Sequence, residues 1–178
     1  MSVSLVLTLI GEDKPGLVEL LSQTIAAHDG NWLESRMSRM AGRFAGILRA
    51  RVPAARAEAL TEALFALESR GLRVVIERSE YEERAAEVRR ISLDLVGTDR
   101  TGIIRDISRA LADRRINVDE LITECNSAPM SGETLFRARA KLRVPIETKT
   151  DELFDALESL ADDLMVDITF SDVENDEP

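Results

Sequence analysis

The sequence predicts an α+β protein made of two copies of one βαββαβ unit, each an antiparallel sheet with both helices on one face. Three observations carry this expectation. An internal repeat spans nearly the whole chain, the same Gly-x-Asp-x-x-Gly turn closes the first strand of each copy, and a clean apolar/polar alternation recurs at the same place in both.

The repeat is read directly from the residues. Leu7-Thr8-Leu9-Ile10-Gly11-Glu12-Asp13-Lys14-Pro15-Gly16 aligns with Leu93-Asp94-Leu95-Val96-Gly97-Thr98-Asp99-Arg100-Thr101-Gly102 at an offset of 86, which persists to Asn31 and Asn117. Phe44 to Pro53 then matches Phe136 to Pro145 at an offset of 92, the six extra residues forming a longer turn around Ser127 to Gly132. Leu60, Leu64 and Leu67 match Leu153, Leu157 and Leu160 at 93. Two copies indicate a duplicated domain, because a solenoid stacks more repeats than that.

Each copy opens with a short apolar run, residues 3–10 and 91–97, that reads as a buried strand. After the glycine turn, Leu17, Val18, Leu21 and Ile25, and in the second copy Ile103, Ile104, Ile107 and Leu111, recur at helical spacing. Asn31 and Asn117 open second strands near 31–41 and 117–126. In the third strand Phe136, Ala138, Ala140, Leu142 and Val144 alternate with Arg137, Arg139, Lys141 and Arg143. Phe44, Gly46, Leu48, Ala50 and Val52 alternate with residues that include Arg49 and Arg51. Pro53 and Pro145 close these strands, since proline interrupts a ladder. The spaced leucines mark a second helix, and Val74, Ile76, Val166 and Ile168 mark the last strands. The expected organisation is a first domain over residues 1–79, a charged and partly helical linker over 80–90, a second domain over 91–170 and an acidic, disordered tail over 171–178. The uncovered sheet faces must be polar or covered, by the other copy or by a second chain in a homodimer.

Composition narrows the function. The chain has 178 residues, 44 % hydrophobic and 31 % charged, as a folded core requires. No apolar run reaches the ~18 residues of a membrane span, and the N-terminus shows no export signal. The lone Cys125 fits a reducing cytoplasm. The net charge of −10 is localised: from Glu147 onward twelve acids face one base, whereas residues 1–146 are nearly balanced. Direct DNA binding needs a basic face and is not expected.

The glycine turn is where chemistry could sit. A helix start presents unpaired N–H groups and the positive end of the dipole, which suit a carboxylate or phosphate. Gly16 and Gly102 admit a ligand close to the backbone, and Asp13 or Asp99 could meet an ammonium group. The competing reading is architectural, with Asp capping the helix and Gly relieving a tight turn.

These residues resemble the ACT domain: an apolar first strand, a Gly-x-Asp-x-x-Gly turn, an apolar helix, and Asn at the start of the second strand. The resemblance covers Val3 to about Phe170 in two copies. The tandem arrangement is similar to the glycine cleavage system transcriptional repressor family. It implies a ferredoxin-like fold and amino-acid binding at domain or subunit interfaces through Asp13, Lys14, Pro15, Gly16 and Asn31, with Asp99, Arg100, Thr101, Gly102 and Asn117. Thr101 adds a hydroxyl and a backbone N–H where the first copy has Pro15, which favours the second copy as the ligand site. The resemblance also implies a transcription factor or an enzyme as partner.

The stripe of Arg137, Arg139, Lys141 and Arg143 reads either as a partner- or anion-binding surface or as a solvated strand face. It lacks stacking aromatics, so single-stranded nucleic acid is not expected there. Catalysis finds little material. His28 is the only histidine and stands at a helix end, Cys125 reads as a buried strand thiol, and Trp32 reads as core packing. Asp119, Glu120 and Glu124 read as solvated acids, and neither a metal site nor a cofactor is expected. The expected function is a non-catalytic, cytoplasmic sensor of an amino acid, glycine or serine in the first instance, that acts through protein contact. The alternatives are an assembly module without a ligand and the regulatory subunit of a metabolic enzyme.

Overall fold

The computed structural model describes residues 1–79, 88–127 and 134–172. The chain divides into two compact units on either side of residues 83 and 84. The expected linker helix, the longer turn after Ser127 and the acidic tail beyond Asp172 lie outside the described residues.

The first unit runs β1 (Ser2–Glu12), α1 (Leu17–Ala26), β2 (Asn31–Met40), β3 (Arg43–Pro53), α2 (Ala57–Ala66) and β4 (Leu72–Ser79), with single 3-10 turns on either side of α2. The second runs β5 (Val88–Thr98), α3 (Ile103–Ala112), β6 (Asn117–Ser127), β7 (Thr134–Pro145), α4 (Thr150–Leu164) and β8 (Val166–Asp172). The sheet orders are β2-β3-β1-β4 and β6-β7-β5-β8, antiparallel throughout, so both units are ferredoxin-like βαββαβ folds. Two boundaries differ from expectation. β5 begins at Val88, inside the stretch read as linker, because Val88 to Arg90 pair with Pro145 to Arg143. β8 reaches Asp172 because Ser171 and Asp172 still pair with Ser92 and Ile91.

Ladder register reproduces the sequence offsets. Gly11 lies opposite Phe44 as Gly97 lies opposite Phe136, and a register shift follows Trp32 as one follows Val118. Asp29 and Arg115, also 86 apart, both take the left-handed conformation that turns the chain out of the first helix.

Each unit buries its own core between sheet and helices. Leu5, Leu7, Leu9, Leu48, Ala50 and Val52 meet Leu17, Leu21, Ile25, Leu60 and Leu64 in the first. Ile91, Leu93, Leu95, Leu142 and Val144 meet Ile103, Ile107, Leu111, Leu153 and Leu157 in the second. Burying each such side chain contributes about 1.5–3 kcal/mol before the entropy of ordering is subtracted. The period-2 alternation thus aims one face of each sheet at the helices. On the opposite face the first unit presents Ile10, Ile47 and Val75, about half exposed, among charged residues such as Arg49 and Arg51, and the second presents Ile122 among the charged side chains of β7.

Candidate site at the first strand–helix turn

The turn after β1 is fastened from both sides. The Asp13 N–H donates to Gly42 O (3.0 Å), joining it to the β2–β3 hairpin, and the Asp13 carboxylate pairs with Arg39 of β2. The Lys14 ammonium donates to Arg70 O (2.8 Å). Topology explains that contact: β1 and β4 are neighbours, Gly11 lies opposite Leu72, and residues just past one strand meet residues just before the other.

Gly16 closes the turn at φ 90°, ψ 0°, and no side chain caps α1. The first intrahelical bond runs from the Leu20 N–H to Gly16 O (2.9 Å). The amides of Leu17, Val18 and Glu19 therefore lack an acceptor within the helix and add to the positive end of its dipole. Beside this helix start lies a cleft of about 440 Å³ lined by Lys14, Pro15, Gly16, Leu17, Glu19, Leu20, Gln23 and Arg70. Gln23 Nε2 donates to Glu19 Oε1 (3.0 Å), so the lining carries a carboxylate as well as the two cations. The arrangement can hold a carboxylate at the amides and cations and an ammonium at Glu19. Asp13 does not cap α1, and its carboxylate is bound to Arg39.

The second turn is built alike and finished differently. The Asp99 N–H donates to Thr134 O (2.8 Å), Arg100 Nη2 donates to Asp163 O (3.1 Å) in the last turn of α4, and Gly102 stands at φ 103° with no side-chain cap. Here Arg105 Nε and Nη2 donate to the two Asp106 carboxylate oxygens (2.8 and 3.1 Å). The guanidinium lies so close over Gly102 that a Cβ added there would stand 3.0 Å from Arg105 Nη2. That hydrogen bond, aided by the charges of Arg105, Arg100 and Arg109, holds the Asp106 carboxyl below the usual carboxylate range, and Asp106 raises Arg105 in turn. The sequence favours the second copy through Thr101, which is exposed; a cleft of about 370 Å³ in that unit is lined by Asp106, Arg109 and Asp163 but reaches neither Thr101 nor Gly102, whereas the cleft of the first unit includes Pro15 and Gly16.

Asn31 and Asn117 do not join these turns within their own units. Asn31 lies opposite Arg51, whereas Glu12, at the turn, lies opposite Arg43. Eight residues along β3 separate them, roughly 26 Å of strand. Asn117 Nδ2 donates to Asp119 Oδ1 (2.8 Å), at the point where the β6 register shifts.

The basic stripe is largely neutralised within its own sheet. Arg143 pairs with Asp119 (2.7 Å), Lys141 with Glu120 and Arg137 with Asp94 (both 3.5 Å). Arg139 lies between Asp94 and Ile122 on the adjoining strands. Asp119 and Glu120 on β6 are partners of the stripe, and no cluster of metal-ligating side chains occurs among the described residues. His28 Nδ1 contacts Thr24 O (2.9 Å) at the end of α1. Trp32 packs against the first core and donates from Nε1 to Ser35 Oγ (3.2 Å). Cys125 departs from expectation: it is exposed. It shares a face with buried Phe136, yet β6 is an edge strand and the helices do not reach over it.

Sequence reasoning missed Glu19, Gln23 and Arg70. Glu19 and Gln23 stand at the i, i+4 spacing that couples helix neighbours, a signal present beside the turn. Arg70 carries no local signal, because only the β1–β4 pairing brings it to the cleft.

Residues 4–77 match the family model for the ACT domain. The match covers nearly all of the first unit, and the second repeats its topology, so the chain has a tandem ACT-like fold. Among solved structures the chain is similar to an unknown protein from Galdieria sulphuraria, at 28 % identity and a TM-score of 0.88, covering 98 % of this chain and 100 % of that one. It is similar in fold to a putative glycine cleavage system transcriptional repressor, at 16 % identity and a TM-score of 0.74, covering 98 % and 99 %. No curated protein sequence matches the chain. No helix among the described residues is long and apolar enough to cross a membrane.

Proposed function

We propose that this tandem ACT-like protein is a non-catalytic cytoplasmic regulator that senses an amino acid at the β1–α1 turn and passes the signal on by protein contact. The observation that carries the reading is the uncapped start of α1 beside a cleft whose lining includes Lys14, Arg70 and Glu19. That charge pattern complements a zwitterion, and the cleft exceeds what glycine or serine needs. Regulation requires the ligand to favour one arrangement of the protein over another, so a partner such as a transcription factor or metabolic enzyme would read the difference. The resemblance to glycine cleavage repressors makes glycine and serine the first ligands to try. Calorimetric titration with the twenty amino acids tests the proposal, and the absence of heat with every one of them removes the sensor role.

A second reading, an assembly module without ligand, draws on β6, an edge strand with nearly every residue exposed, and on the acidic outer surface of α4. It requires the assembled mass, measured by sedimentation, to fall as salt screens the charges.

A further inference from the structure

The two copies form an internal comparison at the turn, because both have the left-handed glycine, the absent cap and the cation-to-carbonyl tether. What differs is the first turn of the helix beyond the glycine. At the offset of 86, Arg105 stands where the first copy has Glu19, and Asp106 where it has Leu20. In the first unit a Cβ built on Gly16 meets nothing within 4 Å. In the second the corresponding space holds the Arg105 guanidinium, fixed by two hydrogen bonds to Asp106. The tethering carbonyl belongs to Arg70 in the first copy and to Asp163 in the second. Arg70 lines the cleft and has no ion pair among the described residues, whereas the residue at the second mooring point, Asp163, is an acid.

We propose that ligand binding is confined to the first unit, and that Arg105 held by Asp106 is a built-in plug over the second turn. The inference rests on the amino-acid reading above and adds a stoichiometry and an address to it. An incoming carboxylate finds free amides, the Lys14 ammonium and the Arg70 guanidinium at the first turn. At the second it meets an already satisfied ion pair and must compete with the Asp106 carboxylate for Arg105. Copy two supplies the scaffold without the site.

The test is a backbone amide NMR titration of the full chain with glycine, L-serine and L-aspartate, alongside acetate as a carboxylate that lacks the ammonium. In the parent, an amino acid should shift the amides of Leu17, Val18 and Glu19 and leave those of Ile103, Ile104 and Arg105 in place, with calorimetry giving one ligand per chain. Arg105→Glu combined with Asp106→Leu installs the first copy's residues, and the second set of amides should then move as well. If that pair unfolds the unit, Arg105→Ala, a truncation on the exposed surface, lifts the plug alone. Equal shifts at both turns of the parent, or a second turn that stays silent in the folded variant, overturn the plug. A parent silent at both turns with every probe ends the amino-acid reading and this inference together, an outcome visible before any substitution is made.

Discussion

Replacing Gly16 by alanine isolates what the turn demands of its backbone. The residue stands at φ 90°, ψ 0°, and an added Cβ has open space around it, so no clash contributes. The whole cost is that of holding an L-residue in the left-handed region, about 1–2 kcal/mol. For a unit of this size each kcal/mol lowers Tm by about 4–8 °C, giving a fall of roughly 4–16 °C. Gly11→Ala behaves for the opposite reason. Gly11 does not need the left-handed region, but its added Cβ would lie 2.5 Å from Gly71 O, a backbone atom of the neighbouring turn that cannot swing aside. Strand and turn must part, and the loss should reach the upper end of the ~1–3 kcal/mol typical of overpacking. Urea unfolding monitored by circular dichroism reads both, with the midpoint moving at constant slope. The two glycines of the motif thus do different work, one through approach and the other through conformation. A Gly16→Ala variant as stable as the parent, or one less stable than Gly11→Ala, refutes this reasoning.

Lys14→Ala removes the tether to Arg70 O and one cleft cation, and should weaken amino-acid binding by about 1 kcal/mol, roughly fivefold in Kd by calorimetry; an unchanged Kd excludes Lys14 from the site. Asp106 should titrate below its ordinary value in a carboxyl NMR series and rise towards it in Arg105→Gln, which leaves only the charges of Arg100 and Arg109. Its folded pKa is the depressed one, so the pair's contribution is complete above the unfolded value near 4 and is lost as pH falls through the lower folded value. Cys125 should react with a thiol-specific disulfide reagent in the native protein at the rate seen in urea, whereas protection until unfolding would restore the buried assignment. Leu157→Ala, truncating a fully buried side chain, should cost about 2–5 kcal/mol and strip hydrogen-exchange protection from β5 and β7; a loss below ~1 kcal/mol would mean the second core is not packed as described.

The fold was legible because its signals are periodic and local. Alternation in β7 assigned Phe136 to Val144 inward and Arg137 to Arg143 outward, and the structure has the same partition. The repeat offsets became ladder registers for the same reason, since duplicated hydrophobic spacing forces duplicated pairing. The candidate site was legible only in part. Lys14, Pro15 and Gly16 line a cleft as a contiguous turn should. Arg70 reaches it through strand adjacency, which spacing along the chain does not encode. Asn31 belongs to the same motif in sequence yet sits at the far end of the sheet, because α1 carries the chain back along it. The expectation that Cys125 is buried, as strand cysteines commonly are, fails because β6 is an edge strand, where facing the helix side gives direction without cover. The pairing of the basic stripe is not legible along the chain, because its counter-ions, Asp94, Asp119 and Glu120, come from two other strands.

Both turns are moored to a main-chain oxygen near the end of the second helix, by an ammonium in one copy and a guanidinium in the other. Every residue type carries that oxygen, so the mooring leaves the side chain at positions 70 and 163 free to drift after a duplication. An arginine and an aspartate have come to occupy them without disturbing the architecture. Electrostatic character at this corner is therefore decoupled from folding, and Arg70→Asp or Asp163→Arg should recolour a pocket while the backbone around it stays still.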